Sequence, residues 1–120
     1  MAISPAEFLA MQTRLNKGKG EPVPDDAVEH ESELHDEILA FCRNKLWAVV
    51  HSRMDQKSTC TVGTADFIVF ADGGRTFIIE CKSRSGKLKP AQLAFKVQAE
   101  MNGHQVFEVR SMSEFLKIVT

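Results

Sequence analysis

Three charged residues stand where apolar strands end. Asp66 opens the run ADFIVFA, and Glu80 and Lys82 close the run RTFIIECK. A hydrophobic strand packed under a helix has no need of charges there. Side chains alternate along a strand, so Glu80 and Lys82 point the same way. Two carboxylates close enough to repel disfavour joint ionisation unless a cation intervenes. If Asp66 sits beside Glu80, the pair becomes a candidate site for Mg²⁺, which takes a few carboxylates and fills its shell with waters and phosphate oxygens. The backbone carbonyl of Cys81 is a further candidate ligand. Lys82, beside such an ion, could orient or deprotonate a water and stabilise charge developing on phosphorus. These parts suffice for metal-assisted hydrolysis of a phosphodiester. The competing reading is a solvated strand end, since Glu/Lys pairs two residues apart are common on exposed strand faces.

The turn between the two runs decides. Asp72-Gly73-Gly74 lies between them, and two strand-like runs around such a turn predict a β-hairpin. A three-residue loop with Ala71 opposite Arg75 places Asp66 opposite Glu80. A two-residue Gly73-Gly74 loop places Asp66 opposite Cys81 and sends the carboxylates to different faces. Both loops suit the glycines, and a bulge could shift the pairing again.

The other elements follow from periodicity. Ser4-Pro5-Ala6-Glu7 is a helix start, with an apolar set of Phe8, Leu9, Met11 and Leu15. Residues 16–27, with two Gly, two Pro and many charges, read as a linker. An N-terminal helix and linker over 1–28 therefore precede a domain over 29–120. Leu34, Ile38, Leu39, Phe41, Cys42 and Leu46 predict an amphipathic helix over about 29–46. WAVVH, residues 47–51, is strand-like, and 52–64 reads as a loop. Pro90 starts a helix carrying Leu93, Ala94, Val97 and Met101, with Gly103 as its stop. QVFEVR is a further strand, and Ser111 to Glu114 cap a last short helix. The order ααβββαβα predicts a mixed α/β fold, a small central mixed sheet flanked by helices. The strands joined by the β–α–β crossover are expected to run parallel.

Composition narrows the classes. The 120 residues, 43% hydrophobic and 26% charged, are one domain's worth of chain. Fifteen Lys+Arg against 16 Asp+Glu give a formal charge of −1, so a basic surface has to be local. Much of the acid lies between Glu21 and Glu37. No apolar run approaches the ~20 residues that span a bilayer, and the first fifteen residues show no signal-peptide pattern. Cys42, Cys60 and Cys81 form no CxxC pair, which argues against a disulfide framework or a structural zinc site. A reduced, cytoplasmic protein is expected. The four histidines have no zinc-like spacing. Cys81, Phe67, Val69, Phe77 and Ile79 are expected in the core.

The run G63-T-A-D66 followed by I-I-E80-C-K82 resembles the D…(D/E)-x-K signature of the restriction-endonuclease-like nucleases. Within that superfamily the chain resembles the VRR-NUC (virus-type replication-repair nuclease) domain. The matching features are VGTADFIVF, the hairpin glycines, TFIIECK, the helix start G86-K-L-K-P-A-Q92, and GHQVFEVRS. The resemblance covers about residues 29–118, most of the chain. One departure is Thr64-Ala65 before Asp66, where relatives often carry Pro.

The resemblance implies a restriction-endonuclease-like core, with Asp66 and Glu80 as ligands of Mg²⁺ or Mn²⁺ and Lys82 as the catalytic lysine. It implies Gln92 close to the active site and an acidic residue on the first core helix. Glu33 fits that place best, with Glu29, Glu31 and Glu37 as alternatives. Arg84, Lys87 and Lys89, in the densest basic stretch, are candidates for phosphate contacts, and Arg43, Lys45, Arg53 and Lys57 could extend that face. Stand-alone relatives are small, associated with phage replication and repair, and similar to Holliday-junction resolvases. The implied substrate is branched DNA in a bacterial or phage-infected cell. Flaps and a non-catalytic binding module are the alternatives. Symmetric cutting of a four-way junction needs two sites, which implies a homodimer, and the helix at 4–15 is a candidate for its interface.

Overall fold

The computed structural model describes residues 22–52 and 63–120. The expected helix at 4–15, most of the linker, and Arg53, Lys57 and Cys60 lie outside the described residues. The described elements are α1 (Glu31–Lys45), β1 (Ala48–His51), β2 (Phe67–Phe70), β3 (Thr76–Cys81), α2 (Pro90–Met101), β4 (Val106–Val109) and α3 (Met112–Val119). The architecture is mixed α/β: a four-stranded sheet in the order β1-β2-β3-β4, with three helices. β1 and β3 run antiparallel to β2, and β4 runs parallel to β3. A parallel neighbour needs a crossover, and α2 supplies it.

The hairpin takes the three-residue turn. Ala71 N–H donates to the Arg75 carbonyl at 2.8 Å. Phe67 pairs with Ile79 and Phe70 with Thr76. The turn Asp72–Gly74 is a single 3₁₀ turn in which Gly73 and Gly74 have φ of 67° and 73°, backbone open to glycine at little cost. The Arg75 guanidinium spans it. Its Nε donates to the Asp72 carbonyl at 3.1 Å, a second nitrogen pairs with the Asp72 carboxylate, and a third reaches the Val119 carbonyl at 2.7 Å.

Alternation then sorts the sheet. Phe67, Val69, Ile79, Cys81 and Val109 share one face and are fully buried, with Leu34, Ile38 and Cys42 of α1 and Phe115 and Val119 of α3 in the same cluster. Burying one such side chain is worth roughly 1.5–3 kcal/mol. The cluster extends to Val28, ahead of the domain start expected at 29. Val28 donates its N–H to the Arg110 carbonyl and accepts from Arg84 N–H, at 2.9 and 2.7 Å. On the opposite face α2 lies against β4, while Val50 and Phe70 stay about half exposed, at 55% and 45%.

One apolar residue departs from expectation. Leu46 is 91% exposed. The helix stops at Lys45, and Leu46 takes a left-handed conformation with φ of 63° that turns its side chain out of the helical stripe.

Candidate active site

The site is built where β2 begins and β3 ends. Asp66 directly precedes Phe67, and the pairing of Phe67 with Ile79 carries Asp66 to the position opposite Glu80. The Ala71–Arg75 hydrogen bond fixes the alternation of the ladder, which makes the 66/80 position a non-hydrogen-bonded pair, the type with the closer Cα and Cβ atoms. Both side chains are buried: Asp66 is 6% exposed and Glu80 3%. Asp66 Oδ2 accepts from the Cys81 N–H at 2.8 Å, where a further backbone rung would otherwise form. In an extended strand the N–H and C=O of one residue point to the same side. The Cys81 carbonyl therefore also faces the Asp66 side of β3.

Lys82 follows, 4% exposed. Its N–H continues the parallel ladder to the Val109 carbonyl at 2.9 Å. Its Nζ donates to Gln92 Oε1 at 2.9 Å and lies 3.4 Å from Glu31 Oε1 and 3.9 Å from Glu80 Oε1. Gln92 bridges the two strand residues, because its Nε2 donates to Glu80 Oε1 at 2.8 Å. Its Oε1 also accepts the Lys89 N–H at 2.8 Å, which ties the amide to the first turn of α2. Two donors on its oxygen and one acceptor for its nitrogen leave the amide a single sensible orientation.

Gly63 seats that turn. Its φ is +87°, and a Cβ built on it would lie 2.2 Å from the Ala91 carbonyl oxygen. The chain entering Asp66 thus passes against the backbone of α2 one residue before Gln92, an approach that only glycine allows.

Charge is concentrated here. Burial first, and the Asp66 carboxylate second, push the Glu80 carboxyl up to about 8, against a smaller opposite pull from Lys82. The oxygen donors of Asp66 and Glu80, with the carbonyl facing them, are the set that hard divalent cations prefer. The raised Glu80 reflects burial first and the Asp66 charge second, with Lys82 offsetting only part of it.

The helix glutamate differs from the best sequence choice. Glu33 is exposed on α1, whereas Glu31, two residues earlier, reaches Lys82. Two residues is about 200° around a helix, so only one of them can face the site. His35 is a residue that sequence reasoning passed over. It lies one turn after Glu31, is 6% exposed, and holds Nε2 at 3.4 Å from Asp66 Oδ2. The i,i+4 spacing from Glu31 was the available signal. The His35 ring packs edge-on against His51 and Phe67, while His51 stacks on Phe67 at 4.3 Å.

The basic stretch divides. Arg84 is committed internally: its guanidinium donates to Glu29 Oε1 and to the carbonyls of Asp25 and Ala27. Lys87 and Lys89 are exposed. Arg110 holds the loop that carries them. Its guanidinium donates to the carbonyls of Ser83 and Gly86 and to Glu108 Oε1.

No protein-family model, curated protein or solved structure matches the chain. No helix among the described residues is long and apolar enough to cross a membrane.

Proposed function

We propose that the protein is a metal-dependent endonuclease of branched DNA, with a restriction-endonuclease-like core of the VRR-NUC type. The observation that carries the reading is the register. A three-residue turn sets Asp66 opposite Glu80 as a buried carboxylate pair, with Lys82 and Gln92 bonded beside it. Buried like charges are costly, and a structural strand end has no use for them. The parallel β3–β4 pair is the one that the β–α–β crossover predicts.

Asp66, Glu80 and the Cys81 carbonyl would hold Mg²⁺ or Mn²⁺. Such an ion supplies Lewis-acid stabilisation of the charge that builds on the phosphate oxygens. The chain's own residues do the rest. Lys82 Nζ, 3.9 Å from Glu80 Oε1, can hydrogen-bond the attacking water or a phosphate oxygen. Gln92 holds Lys82 and Glu80 in one geometry, which limits the reorganisation needed when substrate arrives. Glu31 sets the lysine from its other side. Water attacks phosphorus, the bond to the leaving oxygen breaks, and that oxygen takes up a proton. Exposed Lys87 and Lys89 are the flanking phosphate contacts, while Arg84 acts mainly by anchoring the residues before α1.

One active site per chain makes a homodimer the form suited to paired cuts in a four-way junction. The test is cleavage of a labelled four-way junction, a flap and a nicked duplex on one gel, in Mg²⁺ and in Mn²⁺. Glu80→Ala and Lys82→Ala serve as controls. The reading predicts metal-dependent cutting of branched DNA that both variants lose. Binding without cutting in both metals would replace it with a non-catalytic module, and cutting of junctions by a strict monomer would remove the dimer.

A further inference from the structure

His35, Asp66 and Cys81 form a second constellation beside the carboxylate pair, with a different donor chemistry. One ligand atom from each, an imidazole nitrogen, a carboxylate oxygen and the sulfur, all lie within 4.8 Å of one another, and all three residues are buried. His35 Nε2 is fully shielded from solvent and makes no hydrogen bond. A buried orphan of this kind calls for a reason. The atom is aimed at Asp66 Oδ2, 3.4 Å away. Tetrahedral zinc with bonds of about 2.0–2.3 Å separates its nitrogen and oxygen ligands by roughly 3.3 Å, so this pair already stands at a coordinating distance. The sulfur, within 4.8 Å of the other two donors, needs to close by about 1.3 Å at most on the same bond lengths. Asp66 is oriented for the task by the Cys81 N–H on its Oδ2, and His35 by the rings of His51 and Phe67.

We propose that His35 Nε2, the Asp66 carboxylate and the Cys81 sulfur form a site for a borderline-soft divalent ion, Zn²⁺ in the first instance. Nitrogen, oxygen and sulfur together select Zn²⁺ or Co²⁺ over Mg²⁺. Binding displaces the thiol proton to solvent and forms the metal–sulfur bond, with no change of oxidation state. The site needs Asp66 but neither Glu80 nor Lys82, so it stands or falls separately from the nuclease reading. It shares Asp66 with the proposed hard-ion site, and the nitrogen and sulfur donors make the softer ion hold it against Mg²⁺.

The test is anaerobic titration of the reduced full-length protein with Co²⁺, read by the sulfur-to-cobalt charge-transfer band in the near ultraviolet. The expected result is one equivalent bound, displaced by Zn²⁺ and not by Mg²⁺. The band persists in Glu80→Gln and Cys60→Ser. It is lost in Cys81→Ser, and apparent affinity falls at least about ten-fold in His35→Gln and Asp66→Asn. Circular dichroism checks that each variant is folded. Absence of the band in the wild-type protein, its survival in Cys81→Ser, or its dependence on Cys60 overturns the proposal. His35→Gln decides the matter if Cys81→Ser fails to fold, because full affinity in that variant also overturns it.

Discussion

The displaced Glu80 carboxyl makes folding of the metal-free protein depend on pH in a direction opposite to that of an ordinary carboxylate. Its usual value is 4.5, and burial followed by the Asp66 charge raises it to about 8. The folded state therefore binds this proton more tightly than the unfolded state does. The stabilisation is whole below pH 4.5 and is lost progressively as pH climbs from there to about 8, where the loss levels off. One pH unit of displacement is worth about 1.4 kcal/mol, so the full excursion amounts to about 5 kcal/mol. Relaxation around a charge coupled to Asp66 and Lys82 brings the expected effect to about 2–4 kcal/mol. That remains a large part of the 5–15 kcal/mol that holds a typical domain together. Glu80→Gln removes the titrating proton and leaves an oxygen to accept from Gln92 Nε2. The assay is urea unfolding of wild type and variant in EDTA at pH 5, 6, 7, 8 and 9. The variant's advantage should be near zero at pH 5 and reach its plateau above pH 8. Burial also holds the His51 imidazole below its usual value, which adds stability as pH rises, but that slope is common to both proteins and cancels in the difference. Adding Mn²⁺ should recover the loss in the wild type alone. A difference that stays flat between pH 5 and 9 would refute the buried-pair reasoning.

Two further expectations concern the frame of the site. Gly63→Ala forces a Cβ to within 2.2 Å of the Ala91 carbonyl at a positive φ; strain and clash together should cost about 2–4 kcal/mol, and calorimetry should show the lower Tm while junction cleavage falls with the displacement of Gln92. Arg110→Ala removes the guanidinium that holds the Ser83 and Gly86 carbonyls; charged hydrogen bonds of this kind are worth about 1.5–3 kcal/mol, so protease nicking near residues 83–87 should rise well before global unfolding, whereas an unchanged digestion pattern would show that the loop is held by other means.

The element order was legible because each element carries its own punctuation. Pro90 starts α2, Ser111 caps α3 by accepting the Glu114 N–H at 3.1 Å, and the alternation of FIVF and FIIEC decides their faces. The register was not, since Gly73-Gly74 and Asp72-Gly73-Gly74 are both good turns. What separates them is the Arg75 side chain, which bonds the Asp72 carbonyl and carboxylate and the distant Val119 carbonyl. The first two contacts are local and present in the sequence as an i,i+3 pair; the third exists only once α3 has packed. The helix glutamate had the same difficulty. Helical spacing groups Glu33 with Glu37 on one face and Glu31 with His35 on another, but the choice between faces depends on how α1 lies across the sheet. His35 was obscured because a buried histidine in an apolar stripe looks like packing until Asp66, thirty-one residues away, is brought beside it.

On the proposed nuclease reading, the charges of the cluster also bear on how DNA would be met. Asp66, Glu80 and Glu31 oppose one ammonium, that of Lys82. With every carboxylate ionised the group is formally −2, and protonation of Glu80 leaves −1. A phosphate approaching either state meets net negative charge in a partly desolvated site, where repulsion is screened less than on an open surface. The chain's overall charge of −1 offers no compensating long-range attraction. A divalent cation changes the sign of the balance locally, so junction binding at fixed ionic strength should tighten on replacing EDTA with Ca²⁺, an ion commonly used to bind without cutting. At pH 9, where Glu80 with its carboxyl raised to about 8 is mostly ionised, Asp66→Asn and Glu80→Gln each remove one negative charge and should bind the junction more tightly than wild type in EDTA, by roughly 5- to 30-fold if each charge is worth about 1–2 kcal/mol at an effective dielectric near 20. Their gain should shrink in Ca²⁺, because the cation's ligands are then missing. Fluorescence anisotropy with a labelled junction separates the cases. Equal affinity of wild type and both variants in EDTA would mean that DNA stays clear of the carboxylate pair, and the assignment of that pair to phosphodiester chemistry would fail with it.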